Sequence, residues 1–140
     1  MWLSKQMKPE VPTADADLGM TTIGGESAGV VTRGEVRDLP VYGPGGYVWL
    51  PENGATVLVI KGGPGGEEQC VVGARQSQGP TGMQPGEIYL HGPGGGSVYL
   101  RANGNVEVQT TGTLRLKGQI VSVEGLLLIN GEPYKPCECE

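Results

Sequence analysis

Apolar residues alternate with polar residues along the C-terminal half of the chain, from residue 86 to residue 131. Each short phrase carries two aliphatic side chains that are two positions apart, and glycines separate the phrases. A period of two is typical of β-strands with one apolar and one polar face. The predicted inward positions are Ile88, Leu90, Val98, Leu100, Val106, Val108, Leu114, Leu116, Val121, Val123, Leu126 and Leu128.

A single copy of this repeat offers only a narrow apolar strip, with little else in the chain to cover it. Three copies wound around a common axis would bury the strips of all three against one another. Glycines at the corners suit a place where chains crowd and a Cβ atom would clash. We therefore predict that residues 86–131 form an intertwined trimeric β-helix, which we call the needle.

Residues 28–76 have a different pattern, in which short apolar runs are separated by turns rich in glycine and proline. Such turns follow from the fixed φ of proline and the positive φ that glycine accepts. Five short strands in so short a segment favour a small OB-like barrel, the collar, since closure removes exposed strand edges. The predicted strands are 29–33, 35–41, 47–50, 56–60 and 70–75, with a core of Val48, Leu50, Val57, Val59 and Val71.

Three further segments complete the predicted organisation. Residues 77–85 form a linker with two prolines and two glycines, and residues 132–140 form an apical tail. Residues 1–27 have no clear period, and prolines and paired glycines interrupt them, so they are predicted to be an N-terminal arm. Trp2 and Met7 are costly to expose to water, and this favours docking of the arm on a neighbouring protein.

Composition supports an all-β fold and excludes some partners. The chain has 26 glycines and 11 prolines and lacks phenylalanine, which favours short strands and tight turns over a helical bundle. The formal net charge of −5 disfavours binding to nucleic acid, because phosphate backbones repel an acidic surface. The N-terminal residues lack the apolar core of a signal peptide, so we expect synthesis in the cytoplasm.

Two stretches carry a resemblance to a known family: "LPVYGPGGYVWLPENGATVLVIKGG", and "PGEIYLHGPGGGSVYLRANGNVEV" further along. They resemble the central spike proteins of contractile phage tails, of the baseplate assembly protein V type that includes the Mu-like branch. The resemblance covers residues 28–131. It implies a homotrimer whose OB-fold collar sits on the baseplate hub and whose β-helix points at the host.

The resemblance also implies a mechanical function. The spike of this family is driven through the host cell envelope when the tail sheath contracts, and related parts occur in phage-tail-like bacteriocins and other contractile injection systems. For this chain it implies a non-enzymatic virion structural protein that punctures membranes. Its partners would be hub and baseplate proteins, which Trp2 and Met7 would contact, the host envelope, and a separate tip protein as an open alternative.

The C-terminal tail departs from the family. Many relatives end in a His-x-His segment, whose histidines from three chains bind iron at the tip, whereas this chain ends in "INGEPYKPCECE". Cys137 and Cys139 stand in that place, and thiolates from three copies suit iron or zinc at an apical threefold site. Residues i and i+2 of an extended strand lie ~6.5–7 Å apart, so free thiols or interchain disulfides remain alternatives.

Other residues point to no chemistry. His91 has no cysteine or carboxylate at the spacing of metal ligands, and Cys70 is expected to be a small buried apolar residue. No nucleophile and base stand at a supporting spacing, so no catalytic residue and no enzymatic activity are predicted. The competing interpretations are an OB-fold ligand-binding module, a trimeric receptor-binding fibre and, behind these, a hydrolase.

Overall fold

A computed structural model of the protein describes residues 16–32, 34–62 and 67–136. Every regular element of these residues is a β-strand, and all the sheets are antiparallel. The all-β class is therefore confirmed for this part of the chain. The chain divides into two compact units, Met1–Gln78 and Gly79–Glu140, and the division falls within the stretch 77–85.

The first unit is a five-stranded sheet in the order β3-β2-β1-β4-β5. An isolated parallel bridge joins Val41, the residue after β3, to Val71 of β5. Next to it, the Tyr42 N–H donates to the Val71 carbonyl at 2.8 Å. The strands are β1 Ala16–Ile23, β2 Ser27–Val31, β3 Glu35–Pro40, β4 Thr56–Gly62 and β5 Glu68–Ala74.

Strand β1 corrects the prediction that residues 1–27 form an arm, because it lies in the middle of this sheet, between β2 and β4. Its inward positions hold Gly19 and Thr21, which are both buried. A Cβ atom on Gly19 would come within 2.3 Å of Val30 Cγ1, so the close approach of β1 to β2 requires glycine. The residues that face the core are small or polar, and the bulky apolar residues of the strand point outward, which is why the usual pattern did not predict a strand.

The core of the first unit consists of buried aliphatic side chains from both halves of the sheet. Three predicted core residues, Val57, Val59 and Val71, belong to it. The prediction is wrong for Val48, which is 89% exposed, and for Leu50, which is 55% exposed. Residues 47–50 form no strand. The intervening Trp49 packs against the core instead, and its Nε1–H donates to the Tyr42 carbonyl at 3.2 Å.

Truncation of Val59 to alanine should destabilise the first unit by roughly 2 kcal/mol, since it removes buried apolar groups and leaves a cavity. The matched substitution Val48→Ala should change the free energy of unfolding by less than ~0.5 kcal/mol, because the side chain is exposed. Chemical denaturation of the full chain, followed by tryptophan fluorescence, would measure both values. Equal effects of the two substitutions would contradict the assignment of the core.

The second unit begins with a three-stranded meander, in which β6 Ile88–His91, β7 Ser97–Leu100 and β8 Val106–Gln109 pair in order. A two-stranded hairpin of β9 Leu128–Ile129 and β10 Glu132–Pro133 follows near the C-terminus. Its turn residues, Asn130 and Gly131, have φ of 51° and 79°. Two positive φ values in a two-residue loop are typical of a type I′ hairpin, which favours the pair Asn-Gly.

Candidate assembly interface

The meander of the second unit sorts its residues onto two chemically distinct faces. Ile88 pairs with Leu100 and Leu100 with Val106, while Val98 lies between Leu90 and Val108. Directly paired residues share a face, so the predicted inward residues of this region do lie together. In the single chain this apolar face is uncovered: Leu100 is 37% exposed and Val106 is 60% exposed.

The opposite face of the meander is polar and aromatic, and it is the better packed of the two. Tyr99 is only 6% exposed and meets the Tyr89 ring edge-on, with 5.5 Å between the ring centroids. Tyr89 also stacks on His91 at 5.1 Å, and the Arg101 guanidinium carbon lies 4.7 Å from the Tyr99 ring centroid. The sequence analysis missed this cluster, although Tyr89 and His91 stand at alternate positions on β6 and Tyr99 lies opposite Tyr89 on β7.

Glu87 fixes the start of the meander through its carboxylate. Oε2 accepts hydrogen bonds from the Gln84 N–H at 2.9 Å and from the Tyr99 hydroxyl, and Oε1 accepts from the Ala102 N–H at 3.0 Å. The Gln84 N–H, then the Tyr99 hydroxyl and the Ala102 N–H, lower the pKa of Glu87 from 4.5 to about 2. The same hydrogen bond to Glu87 raises the pKa of Tyr99.

The lowered pKa of Glu87 predicts a pH dependence of stability. A carboxylate whose pKa falls on folding stabilises the folded state above its unfolded pKa of 4.5, and the contribution is lost as pH falls toward about 2. Glu87→Gln should therefore lower the melting temperature at neutral pH and flatten its decline over this acidic range. Tyr99→Phe, which removes one of the donors, should have a smaller effect. Thermal unfolding by circular dichroism at several pH values tests this, and an unchanged decline in Glu87→Gln would refute it.

Beyond the meander, residues 113–126 form a segment that pairs with no strand in the described part of the chain. Among the described residues, this segment contains no strand and makes no main-chain hydrogen bond. Its predicted inward residues are open to solvent, with Leu116 70% exposed and Val123 60% exposed. Ile120, at 84% exposed, adds to this apolar surface and was not among the predicted residues, because it falls outside the paired pattern.

The apolar face of the meander and the segment 113–126 together present the chemistry of a protein–protein interface. Large contiguous apolar surfaces mark interaction sites, and main-chain polar groups need partners wherever they are buried. The apolar surface continues past the end of this segment, since Leu126, Leu127, Leu128 and Ile129 are all exposed, with Leu126 at 78%. The arrangement can bury aliphatic side chains against other chains and pair main-chain groups between chains.

The sequence analysis also named residues for a contact with the hub and for an apical metal site. Trp2, Met7, Cys137 and Cys139 lie outside the described residues, so the hub contact and the apical metal stay predictions. Cys70 is partly buried on β5, and His91 lies on β6. The described residues contain no group of three or more histidine, cysteine, aspartate or glutamate side chains that could hold a metal ion.

Two further findings bear on what the chain resembles. None of the described residues belongs to a helix with the length and apolarity needed to span a membrane. In comparisons of the sequence, no protein-family model and no curated protein matches this chain.

Proposed function

We propose that this protein is the non-enzymatic central spike of a contractile tail baseplate. Three copies form the spike, which attaches to the tail hub and pierces the host cell envelope when the sheath contracts. The collar transmits axial force, and the needle concentrates it on a small apex. The energy comes from the sheath, so the chain needs stiffness rather than a catalytic site.

The observation that carries this proposal is the exposed segment 113–126, which has no strand and no main-chain hydrogen bond within the described residues. A soluble chain that kept this aliphatic surface in water would aggregate, and its unpaired main chain would have no place in a monomeric core. Threefold association solves both problems, because each apolar side chain meets its counterparts and the main chains pair between copies. A β-structure closed in this way has few free edges and few flexible loops, which suits a rigid needle.

The first unit supports the OB-like collar. Its five antiparallel strands lie in the order β3-β2-β1-β4-β5, and a parallel bridge connects Val41, the residue after β3, to Val71 of β5. This strand order and the bridge support the proposal that the first unit is a five-stranded Greek-key barrel of the OB type. Such a barrel alone would equally suit a ligand-binding module, but that function leaves the apolar segment 113–126 without a purpose.

The proposal is tested first by the mass of the purified full chain in solution. Size-exclusion chromatography with multi-angle light scattering at micromolar concentration should give a trimer, and the trimer should resist dissociation by SDS because unfolding an interlocked assembly is slow. A monomer under these conditions would contradict the proposal.

The function itself is tested in cells that produce the chain. An antibody against the needle should label the distal end of contractile particles in electron micrographs. Cells that lack the chain should make particles without a spike, and the intact chain supplied in trans should restore it. A trimer that labels no contractile particle would refute the spike function and leave the oligomeric state standing.

A further inference from the structure

The five-stranded sheet of the first unit carries an uncovered apolar face on the side opposite its core. We call it the outer face and define it by Leu18, Met20, Val31, Leu58 and Ile60. Leu18 pairs with Leu58 and Met20 pairs with Val31, so these side chains form one continuous surface over β1, β2 and β4. Leu18 is 72% exposed and Met20 is 55% exposed.

Strand β1 is patterned as though the outer face were buried. Its bulky apolar residues, Leu18 and Met20, point outward, while Gly19 and Thr21 fill the inward positions. A strand with one solvated face shows the reverse order, apolar inward and polar outward. The ionisable residues of β1 and β4, Asp17 and Lys61, lie toward the inner face and form an ion pair of 3.5 Å. The outer face of these two strands therefore carries no charge.

We propose that residues 1–15 of the same chain cover this outer face. The segment enters the sheet at Ala16, which lies opposite Ile60 at the margin of the face. An extended chain spans about 3.3 Å per residue, so the segment reaches about 50 Å. The distance across β2, β1, β4 and β5 is only about 14 Å, because neighbouring strands lie about 4.8 Å apart.

The composition of residues 1–15 fits this position. Trp2, Leu3, Met7 and Val11 supply apolar side chains, and Trp and Met fit irregular apolar surfaces well. Two prolines at positions 9 and 12 lack an N–H group, which favours packing across a face over pairing along a strand edge. The inference does not rest on the spike function, and it assigns Trp2 and Met7 to the chain's own sheet rather than to the hub.

The burial of Trp2 in the isolated full chain tests the inference. Trp2 and Trp49 are the two tryptophans of the chain, so a chain lacking residues 1–14 reports the contribution of Trp49 alone. After subtraction, acrylamide should quench Trp2 several-fold less in the full chain than in a free peptide of residues 1–15. Equal quenching of the two would overturn the inference.

A matched pair of variants locates the covering segment on the outer face. Lysine at both Leu18 and Leu58, two exposed positions of this face, should raise the quenching of Trp2 to that of the free peptide. Val48→Lys, at a position 89% exposed and outside this face, should leave the quenching unchanged. Equal responses of the two variants would overturn the inference.

Cys70 provides a second reporter, because it pairs with Ile60 at the margin of the outer face. With Cys137 and Cys139 replaced by serine, a maleimide should label Cys70 several-fold faster in the chain lacking residues 1–14 than in the full chain. An unchanged labelling rate would show that residues 1–15 do not cover the face. Self-association of the full chain through this face as its concentration rises would show that a second copy covers it. None of these readouts depends on the oligomeric state of the needle.

Discussion

Leu116→Asp is expected to prevent trimer formation at micromolar concentration. In the proposed needle, Leu116 from three copies meets near the common axis, and the substitution would bury three carboxylates together. An uncompensated buried charge costs about 3–5 kcal/mol, so three would remove roughly 10 kcal/mol from the association free energy. A loss of that size weakens association by about seven powers of ten. Val123→Asp should act in the same way.

The neighbouring residues provide matched controls for these two substitutions. Successive side chains of an extended strand point to opposite faces, so Lys117→Asp and Ser122→Asp place the same carboxylate on the outside of the proposed needle. Light scattering should show monomers for the first pair and trimers for the second. Stable trimers of Leu116→Asp or Val123→Asp would contradict the inward assignment.

Gly24→Ala is expected to destabilise the first unit by about 3 kcal/mol, the upper end of the usual cost of forcing extra atoms into a packed site. A Cβ atom at Gly24 would lie 2.0 Å from the Pro51 carbonyl oxygen, and a main-chain atom cannot yield as a side chain can. The Gly24 N–H also donates to Asn53 Oδ1 at 2.6 Å. To relieve the clash, the loop 51–55 has to move away from β1.

The position of that loop decides the size of the effect. Thr21 of β1 holds the loop 51–55 through three hydrogen bonds. The Thr21 N–H donates to the Ala55 carbonyl at 2.9 Å, and the Thr21 carbonyl accepts from the Gly54 N–H at 2.7 Å. The Thr21 hydroxyl donates to the Glu52 carbonyl. Each hydrogen bond contributes about 0.5–1.5 kcal/mol, and buried groups left unpaired cost more.

Thermal unfolding separates this clash from a general effect of replacing glycine. For a unit of this size, a loss of about 3 kcal/mol lowers the melting temperature by roughly 12–24 °C. Gly45→Ala is the matched control, because a Cβ atom there meets nothing within 4 Å. Similar melting temperatures for the two variants would show that the loop 51–55 adapts freely.

The alternation of apolar residues predicted much of the second unit, because neighbouring strands of a meander obey the same period of two. Leu90, Val98 and Val108 share one face in the structure as the sequence predicts. The pattern could not show that the opposite face packs into an aromatic cluster around Tyr99. That packing depends on which residues pair across strands, and register is not readable from one strand alone.

The first unit shows a different limit. Five strands were predicted and five are present, yet one of the predicted strands, 47–50, is irregular, and β1 was not predicted. In both places the usual rule of apolar residues inside fails. Val48 and Leu50 are exposed around an inward Trp49, while Gly19 and Thr21 occupy the inner side of β1. Hydropathy cannot predict such places, because close approach of main chains and hydrogen bonds to the loop 51–55 decide them.

The change from paired strands to a partnerless segment after Gln109 also determines when each part of the chain can fold. The β6–β8 meander is stabilised by pairings close in sequence, so every newly synthesised copy can form it alone and rapidly. In the proposed spike, residues 113–126 find partners only on other copies. Renaturation of the proposed spike should therefore have a fast step whose rate is independent of protein concentration and a slow step whose rate rises with it.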